Sequence, residues 1–145
     1  MSVCLLDVNV LIALVWPAQE AHNRVAAWFQ NNHKAGWATC PFTQTALIRI
    51  LSNPSFSKDA LSPPHAEELL AKNLKHPSHR FWPADIDYAT ALSSFSQSIL
   101  GHQQVTDAYL VGLVIHRKGR FATLDQRIRT ILPETSRARE IVIEI

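Results

Sequence analysis

The sequence predicts an α/β fold, a central parallel sheet of about five strands with helices on both faces. Three observations point to it. Short apolar runs recur without alternating apolar and polar residues, as in strands buried on both faces. Stretches with apolar residues at helical spacing lie between them. The two kinds of segment alternate along the chain, as the crossovers of a parallel sheet require.

The elements follow in order. Val3 to Asp7 reads as the first buried strand. Asn9 to Trp16 reads as a short helix closed by Pro17. From Ala18 to about Asn32, the residues Ala21, Val25, Trp28 and Phe29 form a one-sided apolar stripe, hence a second helix. Gly36 breaks it, and Trp37 to Cys40 is a second strand. Pro41 and Thr43 suit the opening of a helix that carries Ala46, Leu47, Ile50 and Leu51 inward, and Asn53-Pro54 stops it. Ser62-Pro63-Pro64-His65, followed by Glu67 and Glu68, starts a helix that runs to about Lys75. Arg80 to Trp82 reads as a strand, and Ile86 to Ser98 as a helix with Ala89, Leu92 and Phe95 inside, ended by Gly101. Thr106 or Gln104 precedes a helix from Asp107 to Arg117, which buries Leu110, Val111, Val114 and Ile115 and ends at Gly119. Phe121 to Leu124 is a strand, Asp125 to Leu132 a short helix, and Ile141 to Ile145 the last strand.

Composition bounds the possibilities. The 145 residues suffice for one domain, residues 1–145, with a full core. The apolar fraction of 47% and charged fraction of 18% are those of a soluble globular protein. A formal charge of +2 says little about partners, but seven of the fourteen Lys and Arg residues follow Val105, as either a solvated face or a phosphate-binding surface. Cys4 and Cys40 are too few for a disulfide scaffold and read as buried thiols. No basic region precedes the first apolar run, and Asp7 interrupts it, so neither a signal peptide nor a membrane span is expected. A cytoplasmic protein is the expectation.

Asp7, Asp107 and Asp125 carry the chemistry. Asp7 ends a buried strand, Asp125 follows the strand Phe121-Ala122-Thr123-Leu124, and Asp107 opens a helix. Strand ends and helix starts share one edge of a parallel sheet, where ligands bind in open α/β folds. Taken singly, Asp107 suits a first-turn acid and Asp125 a helix cap, but an acid inside an apolar run needs a partner. Three carboxylates at one edge repel one another unless a cation compensates. Mg²⁺ takes oxygen ligands, polarises a phosphoryl oxygen and lowers the pKa of a bound water. On this reading Asp7, Asp107 and Asp125 hold the metal, while Asn9, Thr106 and Thr123 orient carboxylates or waters.

Leu5-Leu6-Asp7-Val8-Asn9-Val10-Leu11 resembles the opening motif of PIN-domain ribonucleases. Thr106-Asp107-Ala108-Tyr109-Leu110 and Ala122-Thr123-Leu124-Asp125 resemble their later acidic motifs. Cys40-Pro41-Phe42-Thr43-Gln44, running on to Arg49-Ile50-Leu51-Ser52-Asn53-Pro54, resembles the second motif of VapC-type toxins. The resemblance implies a PIN-like three-layer fold and a Mg²⁺- or Mn²⁺-dependent endoribonuclease. Its substrate would be structured RNA such as tRNA or rRNA, and a VapB-type antitoxin would silence it in a toxin–antitoxin hetero-oligomer. It also implies a homodimer formed by the early helices, near residues 18 to 52. The chain departs from the family at Gln44, where most members carry glutamate. An amide oxygen can still hold a metal-bound water, but the site has three negative charges instead of four. Arg49, on the same helix, is a tentative RNA contact, with a dimer salt bridge or a plain surface arginine as alternatives.

The remaining residues are less informative. Glu20, Asp85 and Asp87 fall outside the motifs and read as surface acids. The seven histidines show no ligand spacing, and His102 and His116 read as loop and surface residues. The four tryptophans are better explained as core or interface residues than as base-stacking platforms. Asp7-Val8-Asn9 also echoes the nucleophile motif of haloacid-dehalogenase-type phosphatases, but Asn9 stands where that motif usually has an acid. A degenerate PIN domain that binds RNA or protein without cleavage is the alternative that Gln44 favours.

Overall fold

The computed structural model describes residues 2–145. Five short strands, β1 (Cys4–Leu6), β2 (Trp37–Thr39), β3 (His79–Phe81), β4 (Arg120–Thr123) and β5 (Val142–Glu144), form one sheet in the order β3-β2-β1-β4-β5. Every pairing is parallel, and β1 lies at the centre with Leu5 opposite both Ala38 and Phe121. The helices are α1 (Val8–Val15), α2 (His22–Asn32), α3 (Pro41–Leu51), α4 (Pro63–Leu74), α5 (Tyr88–Ala91) and α6 (Val105–His116).

Successive side chains of a strand point to opposite faces of the sheet, and the two faces hold separate cores. Cys4, Leu6 and Ala122 pack with residues of α1 to α4, whereas Leu5 and Phe121 pack with α5, α6 and the C-terminal segments. This two-sided burial explains why central β1 reads as a continuous apolar run, while the edge strands β3 and β5 are partly exposed. α6 carries it furthest, being buried without interruption from Ala108 to Val114. No helix among the described residues is long and apolar enough to cross a membrane. Cys4 and Cys40 are buried free thiols, and burial pushes Cys4 up to about 12.

Several segments depart from the sequence expectation. α2 begins at His22 instead of Ala18, because residues 17–21 turn through bonds from the Gln19 and His22 amides to Trp16 and Gln19. The single helix expected over 86–98 is only the four-residue α5, followed by turns and a 3₁₀ turn at Ser96–Ser98. Ser93, Ser94, Ser96 and Ser98 offer the backbone competing hydrogen bonds and so weaken a helix there. Ala89 is exposed, and Ala91 turns inward with Leu92 and Phe95. In place of the helix expected over 125–132 the chain forms the 3₁₀ helix Ile128–Ile131, since the Asp125 carboxylate accepts the Arg127 amide at 2.9 Å and makes a turn.

Two glycines allow close approaches. A Cβ at Gly119 would lie 2.5 Å from the Trp82 ring and 2.7 Å from the Val3 carbonyl oxygen, while the left-handed residue ending α6 is Lys118 (φ 55°). A Cβ at Gly112 would lie 2.2 Å from the Ala91 carbonyl oxygen, where α5 crosses α6. Backbone cannot swing aside as a side chain can, so Gly112→Ala is expected to lower stability in urea unfolding by about 2–3 kcal/mol, the scale of overpacking. Unchanged stability would show that α5 yields without cost.

Candidate active site

β1 delivers its last residue to the middle of the carboxyl edge of the sheet, and that next position is Asp7. Its extended backbone (φ −61°, ψ 155°) makes it the cap of α1, with Oδ1 accepting the Val8 amide at 2.8 Å. Oδ2 accepts the Thr123 hydroxyl proton at 2.7 Å, from the end of the adjacent strand β4. The carboxylate is 5% exposed. Burial raises its pKa first, and nearby Asp125 raises it further, against the hydrogen bonds from Thr123 and Val8.

Thr123, fully buried, is the hub of this edge. Besides donating to Asp7 it accepts the Asp125 amide at 3.0 Å and the Asn9 side-chain amide at 3.4 Å. Asn9 in turn accepts the Leu124 amide through Oδ1 at 3.2 Å. α1 and the strand–turn after β4 are thereby stitched together by side chains that sequence alone marked as orienting groups.

Asp107, in the first turn of α6, is half-buried, and its pKa is raised to about 6. Burial is the largest cause, followed by the charges of Asp7 and then Asp125. The three acids therefore share one electrostatic site. Asp125 behaves differently: Arg127 grips it in a fork, Nε on Oδ1 and Nη2 on Oδ2, both at 3.0 Å. That fork holds Asp125 below the usual carboxylate range. Asp107, Asp125, Arg127, His102, Gln103 and Thr130 open onto a cleft of about 870 Å³.

The donor set suits a hard divalent cation. It presents carboxylate oxygens, and burial with mutual repulsion holds Asp7 and Asp107 above their ordinary range, a penalty that a cation would relieve. As the side chains stand, however, no three acids, histidines or cysteines among the described residues are grouped closely enough to hold one ion. Both oxygens of Asp125 are engaged by Arg127.

Other sequence-nominated residues fall elsewhere. Thr106 is exposed and lines a neighbouring apolar groove with Phe42 and Tyr109, and it makes no hydrogen bond to an acid. Consecutive residues of a helix point about 100° apart, so Asp107 and Thr106 face different spaces. Arg49 is exposed, lies outside the cleft lining and makes no side-chain hydrogen bond among the described residues. Five helical positions from Gln44 place it on another side of α3. Gln44, at the start of α3, donates Nε2 to Thr39 Oγ1 at 2.9 Å, and that oxygen lies 2.8 Å from His79 Nε2. Burial lowers the His79 pKa, and a neutral ring can accept the Thr39 proton. Sequence reasoning missed the Arg127 fork, His102 on the cleft wall and the Thr39–His79 link. The Asp-x-Arg spacing at 125 and 127 was the one local signal.

A model of the PIN domain family matches residues 4–131 of the chain. Ribonuclease VapC39 of Mycobacterium tuberculosis is 37% identical over 121 residues, covering 83% of this chain and 87% of that one. Ribonuclease VapC44 of the same species is 37% identical over 124 residues, covering 86% and 87%. Among solved structures, FitAcB from Neisseria gonorrhoeae gives a TM-score of 0.64 at 17% identity, covering 98% of this chain and 96% of that one. VapBC2 from Rickettsia felis, bound to a DNA fragment from their promoter, gives 0.63 at 12% identity, covering 99% and 98%. At these identities the two structures speak to the fold, which is that of the PIN-like three-layer class.

The electrostatics generate a pH test. An acid whose folded pKa is raised costs nothing below its unfolded value near 3.8 and costs progressively more as pH rises to about 6. Asp107→Asn, melted in EDTA, should match the parent at pH 4 and exceed its stability at pH 8. The gain should be on the order of 1–2 kcal/mol once solvent screening of a half-buried group is allowed for. Equal stability at both pH values would contradict the coupling. Thr123→Val removes a hydrogen bond from a buried carboxylate and should cost about 2–3 kcal/mol at pH 7, read by thermal or urea unfolding.

Proposed function

The chain belongs to the PIN-domain family, and from that premise we propose that it is a VapC-type ribonuclease toxin, a metal-dependent endoribonuclease that cuts structured RNA such as tRNA or rRNA. The observation that carries the proposal is Asp7: a buried carboxylate at the centre of the sheet edge, fixed by Thr123 and electrostatically coupled to Asp107 and Asp125. Its relatives named ribonucleases cover more than four-fifths of the chain.

In this reading Asp7, Asp107 and Asp125 hold Mg²⁺ or Mn²⁺. Such an ion would polarise a phosphoryl oxygen and lower the pKa of a bound water, supplying a nucleophile near neutral pH. The protein's residues do the rest. Thr123 and the Val8 amide fix the orientation of Asp7, so that its charge needs no reorganisation on binding. Asn9 holds the backbone before Asp125 and so sets where that carboxylate begins. Arg127 now pairs with both oxygens of Asp125; its release would open those oxygens to the ion and free the guanidinium for a phosphate of the substrate. Gln44, tied to Thr39, stands at the same edge with an amide oxygen in place of a charge. The chain would act beside a VapB-type antitoxin in a hetero-oligomer, a reading supported by its likeness to Ribonuclease VapC39 and to VapBC2, and as a homodimer.

A second reading, a PIN domain that binds RNA without cutting it, draws on Gln44 and on the Arg127 fork that occupies Asp125. One assay separates the two. Purified protein incubated with total tRNA and rRNA plus Mg²⁺ or Mn²⁺ should cleave, and Asp7→Asn should lower the rate by about 100-fold or more, as loss of a charge-stabilising group does. RNA binding with no metal-dependent cleavage would favour the second reading. Gln44→Glu adds a fourth carboxylate and should tighten Mn²⁺ binding several-fold by calorimetry; equal affinities would show that position 44 does not face the ion.

A further inference from the structure

Beside the acidic cleft, on the other side of the first turn of α6, lies an apolar groove of about 340 Å³ lined by Phe42, Ile86, Tyr88, Val105, Thr106 and Tyr109. Three of its walls are large hydrophobic side chains left in the open: Phe42 is 46% exposed, Tyr88 43% and Val105 42%. Exposed apolar surface concentrated in one concavity marks a binding site. Its shape is held from below. Tyr109 donates its hydroxyl to the Ile86 carbonyl oxygen at 2.8 Å, and its ring packs against Phe42 with centroids 5.2 Å apart at 59°.

We propose that this groove receives an unpaired base of the RNA substrate, next to the phosphodiester presented to Asp7, Asp107 and Asp125; the inference rests on the nuclease reading and names how that substrate is gripped. Thr106 and Asp107 are consecutive, so the apolar groove and the acidic cleft are adjacent. An occupant must present a phosphate to one and a flat apolar surface to the other within a single residue's spacing. A nucleotide has that build, and aromatic walls match the stacking by which proteins hold unstacked RNA bases. Of the two acids on the segment that carries Ile86, one has its charge offset and the other serves as a helix cap. Asp85 pairs with Arg117 at 3.1 Å, and Asp87 caps α5 through the Thr90 amide at 2.7 Å. On the cleft side Arg127 pairs with Asp125, so that this pair carries no net negative charge toward the backbone.

The test uses the full chain in EDTA, where no cutting occurs, and two labelled probes. One is a 12-nucleotide oligoadenylate, the other an abasic ribose-phosphate chain of the same length. The parent should bind oligoadenylate more tightly than the abasic chain. Phe42→Ala and Tyr88→Ala should each weaken oligoadenylate binding by about ten-fold and leave the abasic chain unchanged, while Phe42→Trp, which keeps an aromatic face, should retain the affinity. Equal binding of both probes by the parent, or unchanged oligoadenylate binding in both alanine variants, overturns the proposal. So does loss of self-association in Phe42→Ala with oligoadenylate binding intact, which would make the groove a contact between copies. Metal-dependent cleavage of tRNA and rRNA by the parent is scored separately. Cleavage without base-dependent binding removes the groove and keeps the nuclease. Base-dependent binding without cleavage does the reverse.

Discussion

The hydrogen bond from Thr123 to Asp7 is the interaction on which the candidate site depends. A carboxylate buried at the centre of a sheet is tolerable only if its oxygens are satisfied. Oδ1 is met by the amide that starts α1 and Oδ2 by a hydroxyl from the neighbouring strand. The bond therefore couples the register of β1 and β4 to the direction in which Asp7 points. The parallel sheet supplies this for structural reasons: with β1 between β2 and β4, its last residue has neighbours on both sides and little access to water.

From that point the chemistry is a matter of unequal compensation. Asp7 has its hydrogen bonds yet remains shifted upward by burial, Asp107 is shifted upward with less help, and Asp125 is held low by Arg127. Carboxyl groups held high by burial and by one another cluster at functional sites. A divalent cation is the group whose charge and oxygen preference would cancel that upward shift. The arginine fork is a local substitute for part of that charge, and it releases a guanidinium when exchanged.

Much of this was legible in the sequence, for identifiable reasons. Asp7, Asp107 and Asp125 could be placed because strand ends and helix starts fall at one edge of any parallel sheet, so an approximate element map suffices. Asn9 and Thr123 were legible for the same reason. Thr106 was not: one helical position separates it from Asp107, and 100° of rotation turns it into a different groove. The helix expected over 86–98 failed because its apolar spacing matched a helix while its serines and the contact of Ala91 with Gly112 did not. The setting of Gln44 depends on Thr39 and His79, which only the pairing of β2 with β3 brings together. Arg127 fell within the basic C-terminal third, but its fork on Asp125 is a side-chain choice that composition does not reveal.

The central claim is that these carboxylates are built for a divalent cation. Crystals soaked in Mn²⁺ and measured at the manganese absorption edge test it most directly. An anomalous peak bonded to Asp7 and Asp107 is expected, with Asp125 turned away from Arg127 toward the ion. A map with no peak at this edge, and Asp125 still gripped by Arg127 in saturating Mn²⁺, would contradict it.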